Sequence, residues 1–334
     1  MNSVSIGDLA HSYLLQRRGS SLRAEMSKLN QELTSGQVAD IKSILAGNFS
    51  YLSDIETSMS HLNAYKTSSA EATQFTSAMQ SALDVVQTQS TDLGTNILSV
   101  VAGGIDAVSR QVTVEAREQL GAIVNTLNTD LAGRSIFSGT ASNQAPLASS
   151  ADILNSVRSV MAGQIGPTDK LAAVDAWFAD PAGFDAVIYQ GSSDAMAPFR
   201  LSEHEDLSLD VRANDKAIKD VIRNVAVAAL ANDAALGIDF TERAALLNDA
   251  GVGLMTNAAD VTALRANIGF IEERIDDIAT RNSIESTSLE YAKGALLSVD
   301  PYETATRLEE VQFQLQSLYT VTVRSSELTL VNFL

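Results

Sequence analysis

The sequence predicts a mainly α protein: a long antiparallel helical coiled-coil rod built from both chain ends, with a small mixed α/β domain inserted into it. Three observations point there. Apolar residues at both ends advance by threes, fours and sevens, which lays each set along one helix face. Val261, Leu264, Ile268, Ile271, Ile275 and Ile278 alternate spacings of three and four, the register of a coiled-coil rod core. Between Gly133 and Phe240 that grammar stops; four of the five prolines (Pro146, Pro167, Pro181 and Pro198) lie there with the only tryptophan, Trp177. The chain therefore reads as nested. Residues 1–36 and 301–334 form a terminal coiled-coil region, 37–132 and 241–300 a helical rod, and 133–240 an inserted outer domain.

In chain order, the first helix is read from Ile6 to Leu33, with Leu15, Leu22, Met26, Leu29 and Leu33 as its stripe. Gly19 lies inside it and costs about 1 kcal/mol relative to Ala, so a kink or late-forming turn is expected there. Thr34-Ser35-Gly36 stops the pattern, and Gln37 to Ser50 reads as a connector. Leu52, Ile55, Met59 and Leu62 restart the stripe, which Phe75, Met79, Leu83, Val86, Leu93 and Ile97 carry to about Ser99, with a flaw expected at Gly94. Gly103-Gly104 breaks it. Ile105, Val108, Val112, Ala116, Ile123 and Leu127 then form a returning helix to about Leu131, and the pair reads as an antiparallel hairpin.

Within the insertion, Pro167-Thr168-Asp169 opens a short helix through Leu171, Val174 and Phe178 that Asp180-Pro181 ends. Ala186 to Tyr189 and Leu207 to Val211 read as strands, the latter by its alternation. Asn214 or Asp215 caps a helix carrying Ile218, Val221, Ile222 and Val225. Asp300-Pro301 separates the rod from a terminal helix, because the residue before Pro is pushed away from α geometry. That helix has Leu308, Val311, Leu315, Leu318, Val321 and Leu328 on one face, and Phe333 and Leu334 continue the apolar character. From Glu310 to Arg324 the intervening residues are uncharged, so its other face is also suited to close protein contact.

Composition excludes much. The aromatic share is only 5% of 334 residues, so aliphatic side chains must do most of the burying. A net charge of −18 without a basic run disfavours nucleic acid and anionic membranes. With no Cys there is no thiol catalysis, thiolate metal site or disulfide. No run of about 20 apolar residues exists, so no membrane insertion is expected. The first twenty residues lack a signal-type apolar stretch, which implies export without a cleavable signal peptide if the protein leaves the cell. His11, His61 and His204 show no ligand spacing, and Glu203-His204-Glu205-Asp206 alternates direction on an extended segment. Gly251-Val252-Gly253 lacks the third glycine of a dinucleotide fingerprint and reads as a pair of helix-boundary glycines. No Gly-x-Ser-x-Gly elbow occurs, so no catalytic, cofactor-binding or metal-binding set emerges, and an enzyme is disfavoured.

Several segments resemble the flagellin superfamily. Leu29-Asn30-Gln31-Glu32-Leu33-Thr34-Ser35-Gly36 resembles its amino-terminal signature, and Ser325 to Leu334 its closing helix. Gly133-Arg134-Ser135-Ile136-Phe137-Ser138-Gly139-Thr140 is similar to a segment of the hook–filament junction branch, as is Tyr189-Gln190-Gly191. The Asp-Asp-Pro that usually follows the amino-terminal signature is absent. The resemblance implies a structural subunit that is exported unfolded and assembles beyond the cell. It implies a ring with copies of itself, between a hook-side adapter (the first hook-associated protein) and a flagellin filament, helped by an export chaperone. The assembly residues it implies are the two terminal stripes: Leu15, Leu22, Met26, Leu29 and Leu33 against Leu308, Val311, Leu315, Leu318, Leu328, Phe333 and Leu334. An unpartnered terminal helix has little net stability, because fixing each backbone residue costs about 1–2 kcal/mol, so termini that order on assembly are expected. Two other readings fit the periodicity: a filament flagellin, and a cytosolic coiled-coil adapter or chaperone.

Overall fold

The computed structural model describes residues 6–42 and 49–331, with side chains described for 10–42 and 49–324. The helices are α1 (Ile6–Ser35), α2 (Ser50–Gly103), α3 (Asp106–Leu127), α4 (Ser150–Met161), α5 (Gly166–Ala179), α6 (Phe184–Val187), α7 (Lys216–Leu230), α8 (Phe240–Leu297) and α9 (Pro301–Val331). Two short antiparallel pairs accompany them, β1 (Asp130–Leu131) with β2 (Arg134–Ser135) and β3 (Phe199–Arg200) with β4 (Asp206–Leu207). The fold is mainly helical. It divides into two compact units: Met1–His61 with Ile284–Leu334, and Leu62–Ser283.

In Leu62–Ser283 one apolar core is shared by the long helices and the inserted stretch. Phe75, Met79, Leu83, Val86, Leu93 and Ile97 of α2 are buried, as are Val112, Ala116, Leu120, Ile123 and Leu127 of α3. Gly104 turns the chain between them at φ +64°, and Asn96 Nδ2 donates to Glu115 Oε2 at 2.7 Å across the hairpin. On α8, Val261, Ile268, Ile275 and Ile278 are buried, while Leu264 and Ile271 pack against the core from its rim. The most enclosed element is α7. From Asn224 to Leu230 every residue is buried, the mark of a helix surrounded on all sides.

Small residues set how closely these helices approach. A Cβ at Gly94 would meet Leu254 Cβ at 3.0 Å, and one at Gly251 would meet Ile97 and Leu98 side chains at 3.0 Å. The two glycines thus form a reciprocal close crossing of α2 and α8, and α2 runs through Gly94 without a flaw. Gly251 and Gly253 lie well inside α8 and are not the helix-boundary residues that spacing suggests.

Other departures have local causes. Ala186 to Tyr189 is not a strand: Phe184–Val187 forms a helical turn that buries Phe184 against Phe178, ring centroids 5.1 Å apart. Only Tyr189 pairs, through an isolated bridge to Leu147. Of Leu207 to Val211 only Leu207 joins a ladder; Leu209 and Val211 are buried as alternation requires, but without strand hydrogen bonding. α3 stops at Leu127 because the Asn128 carboxamide clasps Leu147, donating to its carbonyl at 3.0 Å and accepting its N–H at 2.9 Å. The hairpin β1–β2 then turns through Ala132 (φ 54°) and Gly133 (φ 78°), both left-handed as a tight two-residue turn demands. α4 carries an N-terminal capping pair: Ser149 Oγ accepts from the Asp152 N–H at 3.2 Å and donates to Asp152 Oδ2 at 2.6 Å.

Asp233 ties α4 to the short 3-10 turn Ala234–Leu236. Its carboxylate accepts from Arg158 Nε and Nη2 at 2.9 and 2.8 Å and from the Ala235 N–H at 3.0 Å. Burial pushes its pKa up, but these hydrogen bonds and the Arg158 charge outweigh it and hold the group below its usual value of 3.8. A depressed carboxylate stabilises the fold above its unfolded pKa, and that contribution fades as pH falls through the folded value.

Two outcomes are expected. Gly251→Leu overpacks the crossing and lowers unfolding free energy by about 1–3 kcal/mol in calorimetry, whereas Gly103→Ala, with open space around it, is near neutral. Asp233→Asn costs about 1.5–3 kcal/mol at neutral pH. In urea titrations the gap to the parent protein closes only as pH drops below the ordinary carboxylate value of 3.8.

Candidate assembly surface

The terminal helices meet in the unit formed by Met1–His61 and Ile284–Leu334. α1 and α9 pack antiparallel: Gly36 O accepts from Val299 N at 3.1 Å at one end of the pair, and Gly19 faces Leu318 Cδ2 further along. Leu22, Leu29, Leu308, Val311 and Leu315 form the seam, with Met26 and Leu318 packed on it. These seven are all stripe residues. Gly19 explains itself here, since a Cβ would lie 3.3 Å from Leu318 Cδ2, and α1 continues through it as one helix.

Leu33 is not brought into the seam. It is 40% exposed, and the buried neighbour is Glu32. Glu32 Oε1 accepts from the Ala39 N–H at 3.0 Å, with Lys28 Nζ at 3.9 Å, so the carboxylate fixes the chain as it leaves α1. Gly36 (φ +68°) makes that exit, and the Gln37↔Ser298 bridge with Val38 N–H to Leu297 O at 2.9 Å pairs the two connectors. Leu15 is half-buried and stands outside the seam cluster, and Val321 is exposed. The Leu328 side chain, Phe333 and Leu334 lie outside the described residues.

α9 begins at Pro301 after Asp300, whose carboxylate accepts from the N–H groups of Tyr302 and Glu303 at 2.8 and 3.2 Å. Its far face also carries exposed apolar side chains. Tyr302 is 83% and Phe313 69% exposed, with Val323 exposed on the same side, while Tyr13 and Leu14 of α1 are exposed as well. Stripe counting along the inner face misses this second face; the run of uncharged residues from Glu310 to Arg324 was its signal. A shallow groove of about 320 Å³ follows the pair, between Arg18 and Leu22 on one helix and Phe313, Ser317 and Val321 on the other.

The segment Gly133–Thr140 serves packing in Leu62–Ser283. Ile136, Phe137 and Ser138 are buried. Ser138 O accepts from Ser192 N at 2.9 Å, Phe137 O from Ala213 N at 3.0 Å, and Asp194 O from Thr140 N at 3.2 Å. Gly139 (φ +61°) has Asp194 O where a Cβ would be, so no other residue fits. Arg134 pairs with Glu71 and lies over the Phe75 ring at 4.8 Å. Tyr189 Oη donates to Ser192 O at 3.0 Å, and burial pushes the phenol up to about 12. The glycine of Tyr189-Gln190-Gly191 admits that same ring, whose oxygen stands 2.3 Å from the position of a Cβ on Gly191. The two sequence motifs are thus two sides of one knot.

The remaining chemistry-bearing groups are structural. His204 is exposed, and Glu205 accepts from Arg281 Nη2 at 2.6 Å. Among the described residues no cluster of His, Cys, Asp and Glu is placed to hold a metal ion, and no helix is long and apolar enough to cross a membrane.

Residues 253–334 match the family of the bacterial flagellin C-terminal helical region. That carboxy-terminal segment is thus similar to flagellins. The fold of this chain is shared by two solved structures. A flagellar hook-associated protein from Vibrio parahaemolyticus is 13% identical at a TM-score of 0.51, over 73% of this chain and 95% of that one. FlgL of Bacillus cereus is 14% identical at a TM-score of 0.52, over 72% and 98%. No curated protein sequence matches the chain.

Glu32→Ala is expected to free the exit of α1. Loss of a hydrogen bond to a charged carboxylate costs about 1.5–3 kcal/mol, so the Ala39 amide exchanges at least about tenfold faster, while Leu22 and Leu315 amides change little.

Proposed function

We propose that this protein is a structural subunit of the bacterial flagellum that forms the junction ring between a hook-side adapter and the filament. One observation carries the reading: α9 closes one apolar stripe against α1 and leaves Tyr302, Phe313 and Val323 exposed away from it. A helix that spends one face on its own chain and leaves aromatic and aliphatic side chains exposed on another, with no charge between Glu310 and Arg324, is suited to a neighbouring subunit. The fold shared with hook-associated proteins and the Gly133–Thr140 knot support the junction over the filament. The seam of seven apolar side chains holds the terminal pair together, and the groove beside Phe313 receives the next copy. Its other partners are the hook-side adapter, flagellin and an export chaperone, and its place is on the flagellum outside the cell. A filament flagellin is the second reading, favoured by the family match of residues 253–334.

The test is immunogold electron microscopy of isolated flagella, with a tag inserted after Gly163. That site is exposed, at φ +83° and with nothing near it. Ser192 and Ser193 are unsuitable, because their carbonyls accept from Tyr189 and Arg212. A compact label at the hook–filament boundary is expected, and it is abolished by Leu318→Asp while the unfolding of Leu62–Ser283 is unchanged. Label along the whole filament means flagellin; label absent from flagella overturns the flagellar reading.

A further inference from the structure

Within Leu62–Ser283, α8 carries a second stripe that the packing of its own chain leaves uncovered. Leu254, Val261, Ile268 and Ile275 recur every seven residues and are buried in the core. Val252 and Phe270 each stand nine residues from Val261, about two and a half turns at roughly 3.6 residues per turn, so they point the opposite way. The outer face between them reads Val252, Met255, Ala259, Ala263, Ala266 and Phe270, in steps of three, four, four, three and four. That is the spacing of a helix seam. All six are exposed, Val252 at 50% and Phe270 at 69%.

Charge is kept off this face. From Val252 to Phe270 the only charged residues are Asp260 and Arg265, and neither falls on the stripe. Arg265 is turned toward α2, where its Nη1 lies 2.8 Å from Asp84 Oδ1. The contacts that hold Met255 and Thr262 against α2 are neutral: Thr95 Oγ1 stands 3.7 Å from Met255 Sδ, and Gln87 Nε2 donates to Thr262 Oγ1 at 2.8 Å. At a net charge of −18, two copies of this chain repel each other over most of their surfaces, so a contact between copies requires a face of this kind.

The stripe is also complementary to itself. Met255, Ala259, Ala266 and Phe270 are separated by four, seven and four residues, a pattern that reads the same in both directions. A second α8 laid antiparallel, with the two-fold axis between Thr262 and Ala263, sets Phe270 on the partner's Met255 and Ala259 on the partner's Ala266. The alanines at the centre let the two backbones close to about 8 Å. At each end a thioether meets an aromatic ring, a favourable pair.

We propose that the outer stripe of α8 pairs two copies of this chain in solution as an antiparallel, two-fold dimer. The stripe is about 27 Å long at roughly 1.5 Å per residue, and at a helix width of about 10 Å it covers roughly 300 Å² per copy. A standard stable interface covers about 800 Å² per partner, so the dimer is weak and reversible, with a Kd on the order of 100 μM. Its contact joins identical faces, whereas a ring is closed by unlike ones. The pairing therefore uses a different surface from the junction ring and fails separately from it.

The experiment is sedimentation equilibrium of the full chain from about one-twentieth to about five times that Kd. The average mass is expected to rise toward twice that of the monomer, and to rise further at high salt than at low, because salt screens the repulsion between acidic copies. Phe270→Glu and Ala263→Glu, both at exposed positions, each weaken the association by about tenfold or more without changing the unfolding temperature. Phe313→Glu on α9 leaves it as it is. Because the chain has no Cys, Ala263→Cys reports the geometry: mild oxidation links two copies across the axis, whereas Val114→Cys, exposed on α3, gives only a collisional background. A mass that stays monomeric throughout overturns the proposal. So does association that both Glu variants retain, or linkage of the Ala263→Cys protein no faster than that of Val114→Cys.

Discussion

Close approach of aliphatic helices is the constraint on which the rest depends. Outside a few buried rings such as Phe137 and Phe184, the core of the Leu62–Ser283 unit is aliphatic, and dispersion between short side chains demands near-contact backbones. The Gly94–Gly251 crossing supplies that contact between α2 and α8, and α7 packs chiefly on α3. The seven residues from Asn224 to Leu230 are buried on all sides. Of them, Ala226, Ala228 and Ala229 are small enough to let neighbouring helices close over the backbone.

Charge then decides orientation. Arg223 reaches α5 and α8 at once through Asp175 and Asp249, Lys170 joins Glu242 at 2.7 Å, and Arg243 joins Asp106. Several of these cations are largely enclosed, where an unpaired charge costs more than the pair returns. They act as registration pins more than as sources of stability. In the terminal pair the same work falls to one buried carboxylate, Glu32, and to the backbone bridge at Gln37 and Ser298.

The long helices and both stripes were legible in the sequence because heptad spacing is a local signal that tertiary contacts reinforce. Leu22, Leu29, Leu308, Val311 and Leu315 sit where spacing placed them. What failed to show was decided by distant partners. Leu33 follows the period, yet the chain turns at Gly36 and brings Glu32 inward, a choice made by the Ala39 N–H. Gly251 looked like punctuation because the residue that needs its missing Cβ, Ile97, lies far away in sequence. Ala186 to Tyr189 had strand composition, but Phe184 had a ring to stack on and wound the segment into a turn. The capping pair Ser149–Asp152 was readable by its spacing.

The antiparallel seam has a consequence in time. Gly19 and Leu318 touch, and they stand 318 − 19 = 299 residues apart in the chain, whereas the Asn128–Leu147 clasp closes over a separation of 19. Local contacts of the second kind form early, while the seam must wait for its second half to be made. At roughly 5–20 residues per second of synthesis, the stripe of α1 spends about 15–60 s without the helix that covers it. During that interval Leu22 and Leu29 are as sticky as any unfolded segment, so the order of synthesis exposes first the surface that the finished molecule closes last.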